Sequence, residues 1–195
     1  MIIGICGLIG SGKGTVADIL VDQGFTKVSF ADKLKDGVST IFGWDRAMLE
    51  GDTNESRTWR EQRDDFWSAE TKMEVTPRLV LQLFGTDCMR NGFDDGVWVS
   101  LLKKTILDTP GNYVVPDVRF ENEIDMLRDI GGEVWEVQRG RTPEWLIKYE
   151  ITGTEPKEIH PSEWRWIKSR KDVVIENNST LAELQKEVLK ATTHG

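Results

Sequence analysis

Met1-Ile-Ile-Gly-Ile-Cys-Gly-Leu-Ile-Gly-Ser-Gly-Lys-Gly-Thr15 is the stretch that decides the fold. Ile2–Cys6 is a short β-branched run ending at a glycine, the form of a strand buried on both faces of a parallel sheet. From Gly12 to about Gln23 the pattern is helical, with Val16, Ile19, Leu20 and Val21 on one side and Gly24 as the stop. Between them, Gly7 to Lys13 has the spacing of a phosphate-binding loop. Glycines let consecutive N–H groups turn toward one point, and the following helix adds its positive N-terminal end.

Outward from this turn, strand and helix alternate. Phe25–Phe30, Tyr113–Val115, Glu133–Gln138 and Val173–Glu176 read as further strands. Helices are expected over residues 31–42, 77–91, 97–107, 120–130 and 181–190, the last capped by Ser179 or Thr180. This order predicts a three-layer α/β fold of the P-loop NTPase type: one domain with a parallel sheet of about five strands flanked by helices. Residues 43–76 are polar and without clean period; they suit either a helical lobe covering a substrate or a surface insertion. Residues 139–163 read as a loop-rich lid or crossover.

Composition narrows the function. The 195 residues suit a single core, and 38% hydrophobic with 30% charged residues is a globular balance. No apolar run approaches the ~18 residues of a membrane span. The first residues lack a basic leader, so cytoplasmic residence and no membrane partner are expected. Cys6 and Cys88 form neither a disulfide framework nor a metal spacing. The net charge of −8 argues against a nucleic-acid polymer as partner. The eight tryptophans read as core or wall.

The cradle implies ATP held by Gly10, Ser11, Gly12, Lys13, Gly14 and Thr15, with Lys13 on the β- and γ-phosphates. The usual Ser/Thr directly after the lysine is Gly14 here, and Thr15 stands one place later. That leaves Thr15 to touch Mg²⁺ directly, to touch a phosphate, or to act through a metal-bound water.

Two other constellations bear on an acceptor. If residues 77–91 form one α-helix, Arg78, Gln82, Gly85 and Thr86 share a face, while Val80, Leu81, Phe84 and Cys88 can pack inward. Such a stripe suits a phosphate at one end and a base or sugar further on; it is equally a pattern of solvated helix faces. Asp117 follows a buried strand, where open α/β sheets place ligands, and can order Mg²⁺ hydration or orient the acceptor. Arg119 can clamp a transferring phosphoryl group. Alternatively the two pair with each other and cap the next helix.

Together these stretches resemble the bacteriophage deoxynucleoside monophosphate (dNMP) kinases. The residues that carry the resemblance are Gly7–Thr15, Phe30-Ala31-Asp32 with Lys35, Arg78 to Thr86, Trp98-Val99, Val115–Arg119, His160 to Glu163 and Asp172 to Asn177; it thins between Gly43 and Thr76. The Gly-Lys-Gly-Thr ending is also similar to adenylate kinase. The resemblance implies transfer of the ATP γ-phosphate to a dNMP. By position, Lys35, Arg78, Gln82, Gly85, Thr86, Trp98 and Asp117 contact the dNMP; Lys13, Arg78, Asp117 and Arg119 carry catalysis; Thr15 and Asp117 attend Mg²⁺. Arg139 and Arg141 are lid arginines or plain solvent-exposed ones. Asn177 and Asn178 line the adenine pocket or only make the turn. His160 reads as a structural hydrogen-bonder. Dimers are common among such kinases. Rival readings are a kinase of another metabolite, such as dephospho-coenzyme A or phosphomevalonate, and a nucleotide-gated switch or assembly ATPase.

Overall fold

The computed structural model describes residues 1–193. They fall into two compact units, one formed by Met1–Ser29 with the chain from Leu102 on, the other by Phe30–Leu101. The stretch 43–76 lies inside the second, which therefore extends well beyond it on both sides.

The first unit is a five-stranded parallel sheet, ordered β2-β3-β1-β4-β5. Its strands are β1 (Ile2–Cys6), β2 (Thr26–Lys27), β3 (Tyr113–Val115), β4 (Glu133–Gln138) and β5 (Val173–Glu176). The central strand pairs on both sides, Gly4 with Val115 of β3 and with Val134 of β4. Alternation along β1 gives the sheet two apolar faces. Ile3 and Ile5 pack with Val114, Trp135, Val137 and Ile175 beneath Val16 and Leu20 of α1 (Lys13–Asp22) and Leu184 and Val188 of the C-terminal helix Leu181–Thr192. On the opposite face a helix (Glu121–Asp129) lies so close to β1 that a side chain at Gly4 would collide with Leu127. This is the three-layer arrangement expected of the sequence.

The second unit is helical: α2 (Asp32–Phe42), α3 (Asn54–Glu61), α4 (Asp65–Thr71) and α5 (Pro77–Gln82), with α6 (Val97–Asp108) beginning inside it. Completing the numbering, α7 is Glu121–Asp129, α8 is Glu144–Thr152 and α9 is Leu181–Thr192. Three of the eight tryptophans build this unit's core. Trp44 stacks on Phe42 at 4.8 Å, and Trp59 and Trp67 meet the same pair edge-on. The Trp44 indole donates to Asp64 at 2.8 Å, and the other Asp64 oxygen caps α4 by accepting from the Trp67 N–H at 2.9 Å. Short helices survive here because each has a cap: Thr53 with Ser56 for α3, Asp64 for α4, and Thr76 before Pro77 for α5.

Several expectations need correction. The strand foreseen over residues 25–30 shrinks to Thr26–Lys27; its ladder ends with the Val28 N–H donating to Val114. The helix expected over 77–91 is α-helical only to Gln82, and Leu83–Asn91 is a π-helix. Its i→i+5 bonding turns residues off the 100° steps of an α-helix, so the four-residue stripe does not share one face. Arg78, Gln82 and Thr86 are exposed, whereas Gly85 is buried with its Cα against Leu34. Cys88 does not pack inward; the same change of register leaves it exposed. Residues 139–163 are less loop-rich than foreseen, containing α8 and a 3₁₀ turn at Pro161–Glu163. Among the described residues no helix is long and apolar enough to cross a membrane.

Candidate active site

In a parallel sheet all strands end at one edge, so the loops following β1, β3, β4 and β5 emerge together there. These loops hold Gly7–Gly12, Pro116–Phe120, Arg139–Arg141 and Asn177–Asn178. The first unit thus gathers the sequence's donor-side residues with Asp117 and Arg119.

The cradle is set by backbone conformation. Gly7, Gly10 and Gly12 have φ of 147°, 77° and 100°, a region L side chains rarely adopt. A Cβ at Gly7 would also lie 2.5 Å from the Val137 carbonyl oxygen. Gly14 has no such constraint, for a Cβ there meets nothing within 4 Å. Ser11 is buried inside the turn, and its Oγ finds no hydrogen-bond partner among the described residues. Thr15 is exposed on the first turn of α1.

Lys13 folds back over the loop. Its Nζ donates to the carbonyls of Gly7 at 2.8 Å and Leu8 at 2.9 Å. Burial holds its pKa below the ordinary lysine value; the nearby positive charge of Arg119 lowers it further, and Glu163 opposes both. The ammonium is therefore held at the cradle, incompletely compensated, where an anion would stabilise it.

Asn177 has a role that the sequence did not reveal. Its Nδ2 donates to the Ser11 carbonyl at 2.8 Å, and a Cβ on Gly12 would collide with that amide. It buttresses the cradle from beneath. Asn178 accepts from the Gly140 N–H at 2.7 Å, tying the loop after β5 to the loop after β4. Beside them a cleft of about 260 Å³ is lined by Leu8, Arg139, Arg141, Glu150 and Asn178 among others.

The Arg119 side chain is engaged outside its own loop. It donates to Glu163 at 2.8 Å, with a longer approach to the Ser162 hydroxyl at 3.4 Å. The turn that supplies Glu163 is organised by His160, whose Nδ1 lies 2.8 Å from Ser162 Oγ and accepts from the Ser162 N–H. That is a structural role for His160. The backbone of Arg119 is pinned too: buried Glu123 accepts from the N–H groups of Arg119 at 2.7 Å and Phe120 at 3.1 Å. Glu123 thus supplies the acidic half of a capping box, with Phe120 where the motif has Ser or Thr. The Arg119–Glu163 pairing had no local signal. Asp117 is half-buried in the same loop. Cys6, beneath the cradle, is no nucleophile: burial pushes its thiol up to about 12.

In the helical unit, Lys35 pairs with Glu50 at 2.6 Å, and Arg78 with Glu61 at 2.8 Å. Glu50 also binds Arg46, which reaches Asp36 at 2.7 Å. Trp98 is buried and its indole donates to the Gly85 carbonyl at 3.0 Å, so it braces the π-helix.

A glycine cradle with a constrained lysine, at the C-terminal edge of a parallel sheet covered on both faces, defines the P-loop class of nucleotide-phosphate-binding folds. The model of the deoxynucleotide monophosphate kinase family matches residues 48–188, and the chain belongs to that family. It is 32% identical over 204 residues to a protein of Acanthamoeba polyphaga mimivirus provisionally named as such a kinase, covering 97% of this chain and 94% of that one. The deoxynucleotide monophosphate kinase of Escherichia phage RB69 is 32% identical over 117 residues, or 58% of this chain and 43% of the phage protein. A solved structural neighbour, TT1252 from Thermus thermophilus, has a TM-score of 0.48 at 20% identity, covering 100% of this chain and 96% of that one.

Proposed function

We propose that the chain transfers the γ-phosphoryl group of ATP to the 5′-phosphate of a deoxynucleoside monophosphate, giving ADP and the diphosphate. The observation that carries this reading is the cradle: three glycines at positive φ around a backbone-held lysine, in a chain of this family. An acceptor phosphate oxygen attacks the γ-phosphorus in line as the bond to the β-γ bridging oxygen breaks. The acceptor is already anionic near neutral pH, so no general base is assigned. Rate then comes from positioning and from neutralising charge on the moving group.

Lys13 neutralises the donor phosphates once they displace the Gly7 and Leu8 carbonyls from its ammonium. Arg119, held by Glu163 and pinned through Glu123, presents its remaining donors to the group in transfer. Gly10, Ser11, Gly12, Gly14 and Thr15 line the donor phosphates. Asn177 supports them from below through its bond to the Ser11 carbonyl. Arg139 and Arg141 belong to the donor side through the cleft they line. Thr15 and Asp117 offer hard oxygen donors of the kind Mg²⁺ prefers; bound there, Mg²⁺ would supply further neutralisation of the phosphates. Arg78, Gln82 and Thr86, exposed on the helical unit, serve the acceptor, with Lys35 released from Glu50 for the same purpose; Gly85 and Trp98 shape that surface from within.

A coupled ADP-release assay over all natural dNMPs and NMPs tests the proposal. ADP release that requires a deoxynucleoside monophosphate is the expected result. Equal release without acceptor would make the chain an ATPase, and turnover only with another phosphorylated metabolite would reassign the acceptor.

A further inference from the structure

We propose that Arg60, in the stretch the sequence left as either a substrate-covering lobe or a surface insertion, binds the phosphate of the acceptor together with Arg78. This rests on the kinase reading above and deepens it by naming a second phosphate ligand within the helical unit.

Arg60 lies on α3, and its guanidinium sits against the backbone of Gly51. A Cβ on Gly51 would collide with the guanidinium carbon and one terminal nitrogen and stand 2.6 Å from Nε. Gly51 has φ of 69°, so both its conformation and the space above it are reserved. The guanidinium placed there is poorly satisfied. Its Nε is buried and finds no acceptor among the described residues, and one terminal nitrogen makes only a 3.5 Å contact with the Glu50 carbonyl.

The neighbouring carboxylates are committed elsewhere. Glu50 is engaged by Lys35 and Arg46, and Glu61 by Arg78. Arg57, the third guanidinium of the group, is turned onto the carbonyls of Gly51 at 3.0 Å and Asp52 at 2.9 Å. Burial lowers the Arg60 pKa, and the positive charges of Arg78 and Arg57 lower it further, against Glu61 and Glu50. Arg60 is thus a partly desolvated cation beside another cation, with unused donors in a planar fork. A phosphate group offsets the charge of both arginines and accepts N–H bonds from the terminal nitrogens of the Arg60 guanidinium; a small shift of the guanidinium off Gly51 would bring Nε into the same fork. The Glu61 carboxylate now on Arg78 is easily displaced, since that pair is more than half exposed on both sides and exposed pairs contribute little. An arginine present only for packing would not need to leave Nε buried without an acceptor.

The test is calorimetric titration of the full chain with each of the four dNMPs and, separately, with a non-hydrolysable ATP analogue. Arg60→Ala is expected to weaken dNMP binding about 10- to 100-fold, the loss of a hydrogen-bonded charge, with analogue affinity unchanged. Arg60→Lys keeps the stem and the charge but not the fork, and should fall between the two. Unchanged dNMP affinity in Arg60→Ala overturns the assignment, and equal losses for dNMP and analogue do so by showing a general structural defect. Wild-type chain that binds the analogue but none of the monophosphates overturns the acceptor reading itself, and Arg60 with it.

Discussion

The cradle and the helical unit, the two regions to which the proposal assigns phosphates, are made of different material. In the cradle the work is done by backbone: three glycines at positive φ, a buried serine, and a lysine whose ammonium rests on two loop carbonyls. In the helical unit the proposal assigns it to long side chains on separate helices, Arg60 from the capped α3, Arg78 from the capped α5 and Lys35 from α2, around a tryptophan core. A backbone site is specified within a dozen residues. A side-chain site depends on how several helices pack, so its stability and its function are harder to separate.

That contrast can be broken experimentally. The largest effect is expected from Lys13→Ala, which removes the ammonium held on the cradle. kcat should fall about 10²- to 10³-fold, the scale of losing one preorganised electrostatic group, while dNMP affinity stays within a few-fold. Near-normal turnover at saturating substrates would remove Lys13 from the donor side.

Next is a pair of glycine substitutions inside the cradle. Gly12→Ala forces a side chain into the Asn177 amide at φ of 100° and should cost about 1–3 kcal/mol of stability along with affinity for ATP. Gly14→Ala enters open space and should leave urea midpoints unchanged. Equal behaviour of the two would mean that the cradle is not held by Asn177.

In the helical unit, Trp44→Phe removes the hydrogen bond to the capping Asp64 and should cost about 1–2 kcal/mol, visible as faster amide exchange across Asp65–Thr71. Affinity for an ATP analogue should not change. If it does, the two regions are not energetically separable.

The smallest effect is a shift in pH dependence. The folded pKa of Lys13 lies below the unfolded value of 10.5, so the folded chain loses this proton first as pH rises. Between those two pKa values stability rises with pH, because the unfolded state binds the additional proton. Activity moves the other way, for the neutral amine no longer offsets phosphate charge. The alkaline limb of kcat/KM for ATP should therefore fall below the ordinary lysine range; a limb at or above it would contradict a half-buried Lys13 near Arg119.

Much of the first unit was legible because its signals are local. Ile2–Cys6 and Gly7–Thr15 carry strand, turn and helix in one uninterrupted stretch, and β3, β4 and β5 are short runs rich in valine, isoleucine and aromatic residues with clear stops. The second unit was read less well. Its α3 and α4 are short, and their order rests on caps and stacked aromatic rings, which leave no periodic trace. The π-helix was invisible for a related reason: a sequence read at 100° per residue cannot show where packing of Gly85 against Leu34 and Trp98 accompanies a wider turn.

By itself, then, the sequence determined the parallel α/β plan and the glycine turn of the cradle, since hydrophobic alternation and glycine conformation act over neighbouring residues. Only the tertiary structure decided what holds the site. Asn177 reaches the cradle across 166 residues, Glu163 reaches Arg119 across 44, and Arg60 finds its place over Gly51 through the folding of a loop. These contacts depend on close approach in space, and no spacing along the chain encodes them.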